Sequence, residues 1–268
     1  MSGDWAKDGL LGHLAELRDC LLRCVAVLCV LIFALLIPFD GAPFAGVLFE
    51  RLALPLSRTL AETASPAGGG LISTGVLDPF LVQITTAALS AFLISLPYLL
   101  FEAWRFVAPG LYRHEKKLVL PLVVSSTLLF YLGMLFAYFL VFRTVFHFIA
   151  AVAPEEIAWT PDILKFFGFA VTMFLAFGVA FETPVAVYLL VRSGIVEADT
   201  LRRGRRYVIV GAFVVAAIFT PPDVISQLLL AIPCWLLFEL GLFLAPRGAK
   251  KDAKKTADAA AAERNEPE

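Results

Sequence analysis

Histidine is scarce in this chain, with three in 268 residues, and that scarcity limits the chemistry. His114 and Glu115 begin a HExxH-like string, but Leu118 stands where the second histidine would be, so a zincin site is excluded. The four cysteines, Cys20, Cys24, Cys29 and Cys234, lack CxxC spacing and lie in or beside apolar runs. They read as small buried hydrophobes, and neither a disulfide framework nor a metal site is expected. No GxSxG nucleophile turn, pair of intramembrane aspartates or phosphate-cradling glycine loop is present. Catalysis, a cofactor and a metal are therefore not expected. An internal repeat is also absent. A secretory signal is not expected either: Asp4, Asp8, Glu16 and Asp19 precede the first apolar run, and no small-residue cleavage site follows it. Those same acids argue against an organelle transit peptide.

What the chain does have is apolar length. Hydrophobic residues make up 60% of it, and its mean hydropathy is +0.83. Runs of about 20 apolar residues recur, each long enough to cross a hydrocarbon layer of about 30 Å. The expected class is an all-α integral membrane protein, because lipid leaves no water to satisfy an open backbone. Six spans are expected, at Leu21–Phe39, Phe80–Trp104, Leu118–Phe142, Ile163–Val191, Tyr207–Thr220 and Val224–Ala245. Asp78 and Pro79 suggest an N-cap and a first-turn proline, and Pro97, Pro184 and Pro233 are expected to kink their spans. The fifth span is short, rising only about 21 Å, so the bilayer thins there or neighbours shield it.

Charge sets the expected orientation. With the N-terminus inside, only Arg51, Arg58, Arg143 and Lys165 of the 22 basic residues fall outside. The positive-inside rule then places both termini in the cytoplasm. This topology puts the three histidines on different surfaces. The chain divides into a cytoplasmic segment 1–20, a membrane domain 21–245 and a Lys- and Ala-rich tail 246–268 without a core of its own. The outer segment after the first span carries Phe44, Val47, Leu48, Leu52, Leu56 and Leu60 at roughly helical spacing, which predicts an interfacial helix before Gly68–Gly70.

Four carboxylates draw notice. Glu16 precedes the first span, and Glu115 lies in the short inner loop after Phe106. The plain reading is solvated charge paired with Arg18 or Arg113; the sharper one is a pair of anionic receptors for a cationic peptide. Glu182 sits inside the fourth span, on the inner side of its midpoint. An intramembrane carboxylate costs about 2.5–3.5 kcal/mol on insertion scales, which makes it a functional candidate, although a protonated Glu bonded to a neighbouring helix is the structural alternative. Glu239 fits snorkelling or local pairing. At the outer hairpin, Thr220, Pro221, Pro222, Asp223 and Gln227 form a polar cluster.

Several strings now acquire a common meaning: HLAELR at 13–18, FVAPGLYRHEKK at 106–117, LFYLGMLFAYF at 129–139, AFGVAFETPV at 176–185 and GAFVVAAIFTPPDVISQ at 211–227. In this order they resemble the TatC family, the core receptor subunits of the twin-arginine protein translocase, from about Gly12 to Ala245. The resemblance implies a concave bundle of six spans with short fifth and sixth spans, in the bacterial inner membrane. It implies recognition of twin-arginine signal peptides on folded precursor proteins, driven onward by the proton-motive force. Its implied partners are TatB-like and TatA-like single-span proteins in an oligomeric complex within the lipid bilayer, with no nucleic acid. By motif, Glu16, Glu115 and Phe106 match the recognition residues, and Glu182 the polar residue of the concave face. Thr220 and Gln227 lie where the family's partner helix packs, and Pro55 matches an outer-loop proline. Lys165 departs from the pattern. The alternative is a secondary transporter using Glu182 for proton coupling, but paired broken helices in two related halves are missing.

Overall fold

The computed structural model of the chain describes residues 4–37, 49–54, 71–111, 119–152, 161–192, 195–219 and 224–245. The expectations for Pro55, Gly68–Gly70, His114, Glu115, Thr220, Pro221, Pro222, Asp223 and the tail lie outside these residues. The described residues are helical apart from turns, short connections and one isolated bridge. In order they are α1 (Asp4–Leu36), α2 (49–54), α3 (Asp78–Leu111) and α4 (Val119–Phe136). A π turn (Ala137–Val141) joins α4 to α5 (Phe142–Val152). Then follow α6 (Ile163–Phe181), α7 (Thr183–Arg192), α8 (Ala198–Arg203), α9 (Arg205–Phe219) and α10 (Val224–Leu244).

Five of the expected spans are long and apolar enough to cross a membrane: Leu14–Leu36, Asp78–Phe106, Leu120–Ile149, Ile163–Arg192 and Gln227–Leu244. The fifth in chain order, α9, has 15 residues, as short as its sequence suggested. The chain forms two compact units, Met1–Gly178 and Val179–Glu268, whose boundary falls within α6.

Helix ends differ from expectation for local reasons. α1 starts at Asp4, well before the apolar run. Its polar portion carries Ala6, Leu10, Leu11, Leu14, Ala15 and Leu17, all strong helix formers, so the backbone ladder continues past the hydrophobic limit. Leu81 N–H bonds to Leu77 O at 2.9 Å, making Leu77 the cap of α3. Asp78 therefore sits inside the first turn, and its carboxylate accepts instead from Gly75 N–H at 2.5 Å. Pro97 and Pro233 lie within uninterrupted helices. Pro184 follows a break: α6 stops at Phe181, and Glu182 N–H bonds three residues back to Val179 O at 3.1 Å. Proline has no N–H for the ladder and its ring crowds the carbonyl four residues earlier, which accounts for the break.

In the first unit, α3 buries a stripe of small residues, with Thr86, Ala87, Ser90 and Ala91 hidden from solvent. Small side chains let helices approach closely where lipid offers no hydrophobic drive. The Thr86 and Ser90 hydroxyls donate to carbonyls of their own helix, each at 2.7 Å. α3 and α4 run antiparallel: Tyr131 OH donates to Leu93 O at 2.6 Å, and Trp104 Nε1 to Ser126 Oγ at 2.9 Å. Gly178 lies against the Phe130 ring so closely that a β-carbon there would overlap it. Around the start of α6, Phe142, Phe146, Phe166 and Phe174 pack ring on ring. Phe49 of α2 stacks on Phe167 with centroids 5.0 Å apart. Tyr138 OH reaches the Arg51 carbonyl at 2.6 Å. These contacts seat the described part of the outer amphipathic stretch, where Leu52 and Ala53 are buried.

In the second unit, Val187, Phe238 and Leu242 form a core with Leu201 and Val208 against it. Gly241 lets α10 pass α7 closely, since a β-carbon there would lie 2.8 Å from Pro184 Cα. Glu239 is held by Arg205 through two contacts, Nε to Oε1 at 2.6 Å and Nη2 to Oε2 at 2.7 Å. Pairing, rather than snorkelling alone, explains this acid.

Candidate functional site

The polar centre of the first unit is Glu102, on the third turn from the end of α3. Its side chain is 4% exposed. Arg23 Nη2 of α1 contacts one carboxylate oxygen at 3.3 Å, and Arg105 Nη1, one turn along α3, contacts the other at 3.4 Å. Tyr98 OH, one turn back, donates to the same oxygen as Arg105, also at 3.4 Å. Cys20 Sγ meets the Glu102 carbonyl at 3.6 Å. A buried carboxylate left alone in a span would be costly, and the two guanidinium groups offset that charge.

This crossing sets the register of α1 and α3. Consecutive spans cross a membrane in opposite directions. One turn from Cys20 toward the start of α1 comes Glu16, and one turn from Glu102 toward the end of α3 comes Phe106, on the same faces as the contacting pair. Glu16 and Phe106 thus share one level, at the ends of two packed helices. Glu16 is exposed and Phe106 partly so. Arg18 holds Asp19 at 2.8 Å. Glu115 lies nine residues beyond Phe106, outside the described residues.

The other candidates lie in the second unit. Glu182 occupies the break between α6 and α7, with both carboxylate oxygens buried, and its carbonyl accepts from Ala186 N–H at 3.0 Å. Gln227 is on the first turn of α10 and partly buried. Thr220 lies outside the described residues. Glu102 is the residue that sequence reasoning missed. The signal was available: an acid in an apolar span, with a base three residues on, meets the same criterion that singled out Glu182.

Before the start of α3, Ile72 bridges to the chain before α6, through Ile72 N–H to Pro161 O at 3.1 Å and Ile163 N–H to Ile72 O at 2.8 Å. Asp162 accepts from Thr74 Oγ1 at 2.5 Å and from Lys165 N–H at 3.0 Å. The Thr74 hydroxyl first, and the Lys165 amide next, hold its carboxyl below the ordinary Asp range. Lys165 itself is exposed, as a snorkelling base would be.

Among the described residues, no three His, Cys, Asp or Glu side chains gather into a metal-binding group. Five long apolar helices, with a buried acid answered by two arginines, define a polytopic membrane protein. Comparison makes the assignment specific. The family described as Sec-independent protein translocase protein (TatC) matches residues 12–233, and the chain belongs to that family. It is 47% identical to a Sec-independent protein translocase protein TatC of Azotobacter chroococcum over 93% of each chain. With the Escherichia coli K12 protein of that name, identity is 44% over 88% of this chain and 87% of the other. With that of Halothiobacillus neapolitanus it is 48%, over 88% of this chain but only 62% of the longer relative. Among solved structures, a crystal structure of the twin-arginine translocase receptor TatC superposes with a TM-score of 0.72 at 35% identity, covering 87% of this chain and 97% of that one. The chain is thus a membrane-embedded protein translocase component and not an enzyme. Family membership sets aside the small-solute transporter reading.

Proposed function

We propose that this chain is the signal-peptide receptor of a bacterial inner-membrane twin-arginine translocase, with both termini cytoplasmic, and that Glu16, Glu115 and Phe106 form its recognition site. The observation that carries this reading is the Cys20–Glu102 crossing, which sets Glu16 and Phe106 at one level on facing helices. Two adjacent arginines present planar donor forks, and two carboxylates can each receive one bidentately, which lysine cannot reproduce. An exposed ion pair gives only about 0–1 kcal/mol, so discrimination needs partial desolvation, and the apolar ring of Phe106 supplies it at the membrane edge. The receptor acts in an oligomeric complex with TatB-like and TatA-like single-span partners, whose helix packs at Thr220 and Gln227, while Glu182 serves a step after docking. Precursor binding to membranes carrying Glu16→Ala or Glu115→Ala is the test. Each change is expected to impair binding of a twin-arginine precursor about ten- to a hundredfold, the loss of one charged hydrogen bond of about 1.5–3 kcal/mol. Binding equal to the unmodified chain in both variants would sink the assignment.

A further inference from the structure

Resting on that receptor reading, we infer that Glu102 is a deeper carboxylate to which one of the two peptide arginines passes from Glu16, kept occupied by Arg23 and Arg105 until that guanidinium exchanges for one of them. Three observations lead there. First, the carboxylate has more arginine than neutrality requires: one negative charge faces two guanidinium groups. Second, neither arginine uses its fork. Each reaches a different oxygen through one nitrogen at 3.3 or 3.4 Å, whereas Arg205 grips both oxygens of Glu239 at 2.6 and 2.7 Å. The bidentate geometry that favours arginine over lysine is therefore unfilled at Glu102. Third, Glu102 lies one helical turn deeper than Glu16 and Phe106 on the same faces, so a peptide engaged there approaches it directly.

The charge balance favours exchange over addition. A third guanidinium would take the cluster from one net positive charge to two, in a span where charge is costly. Swapping one arginine for another leaves the net charge unchanged. Arg105 is the group that leaves: its side chain is 57% exposed against 46% for Arg23, and it belongs to the same helix as Glu102. Arg23 remains, tying α1 to α3. The Arg105 side chain is already more than half exposed, so its release requires no opening of the packed helices.

The test is binding of a twin-arginine precursor and its twin-lysine counterpart to the full chain in nanodiscs. Removing the competitor with Arg105→Gln should tighten twin-arginine binding several-fold and leave twin-lysine binding where it was. Glu102→Gln should weaken twin-arginine binding several-fold. In the Glu102→Gln background, adding Arg105→Gln should bring no tightening. Unchanged or weaker twin-arginine binding with Arg105→Gln overturns the inference. So does tightening that is equal for lysine, or that survives Glu102→Gln, since either would mean general charge repulsion. If Glu102→Gln does not fold, as judged by size-exclusion profile and thermal unfolding in detergent, the arginine-to-lysine comparison with Arg105→Gln decides alone. Failure of the receptor reading looks different: the unmodified chain would bind arginine and lysine precursors alike, and Glu16→Ala would change nothing.

Discussion

Glu102 and Glu239 are both acids in apolar helices, one in each unit, and they meet arginine in opposite ways. Glu239 is 27% exposed and takes one arginine, gripped by two short contacts. Glu102 is 4% exposed and takes two, each through a single longer contact. The more exposed pair is well formed geometrically, and with that much of both side chains exposed it is expected to contribute little. The buried cluster is poorly formed geometrically, yet its arginines matter more, because apart from the Tyr98 hydroxyl they are the groups that answer the buried charge among the described residues. Contact distance alone would rank the two in the wrong order.

That contrast can be broken most forcefully at Glu102. Replacing both arginines, Arg23→Ala with Arg105→Ala, leaves a buried carboxylate uncompensated, and a loss of about 3–5 kcal/mol of stability is expected. Thermal unfolding in detergent would measure it; a loss no larger than that of a surface pair would remove the distinction drawn above. In the second unit, Glu239→Gln is expected to cost about 1 kcal/mol or less, because both partners are partly exposed. The same unfolding assay, repeated in high salt, should shrink even that difference. The smallest effect is expected outside the membrane, at Asp162. Its carboxyl is held below the ordinary value of 3.8, so its contribution is present at neutral pH and is lost only as pH falls through that depressed value. Protease cleavage near Thr74 should therefore stay constant from pH 7 to about pH 5 and rise only below about pH 4. A rise near pH 6 would assign the tie to some other group.

Five apolar spans were legible in the sequence to within a few residues, because a bilayer asks a similar length and polarity of every crossing. Their ends were less so: the first helix runs back to Asp4 because backbone hydrogen bonding does not stop where hydrophobicity does. The site was half legible. Glu16 and Phe106 belong to recognisable strings, but what brings them level is the contact between Cys20 and Glu102, 82 residues apart. Glu102 itself went unread, since its neighbours Trp104 and Arg105 give it the look of an ordinary interfacial charge. Only the fold brings Arg23 to it.

The π turn at Ala137–Val141 acts as a phase shifter. Phe142 N–H bonds to Ala137 O, five residues back instead of four, so one residue is absorbed without lengthening the turn count. Before it, the outward stripe runs through Leu120, Val124, Leu128, Leu132 and Leu135, and it continues to Phe139 within the turn. An unbroken α-helix would carry that stripe on to Phe142. Instead the stripe slips to Leu140, Arg143 and His147, and Phe142 turns fully inward onto Phe146 and Phe174. One residue is about 100° of rotation. Removing a single residue between 137 and 141 would leave a straighter helix of nearly the same length and composition, yet it would rotate Arg143 toward the aromatic packing and Phe142 away from it. The count of residues in this one turn, rather than the identity of any of them, keeps charge on the outside of the helix and rings on the inside.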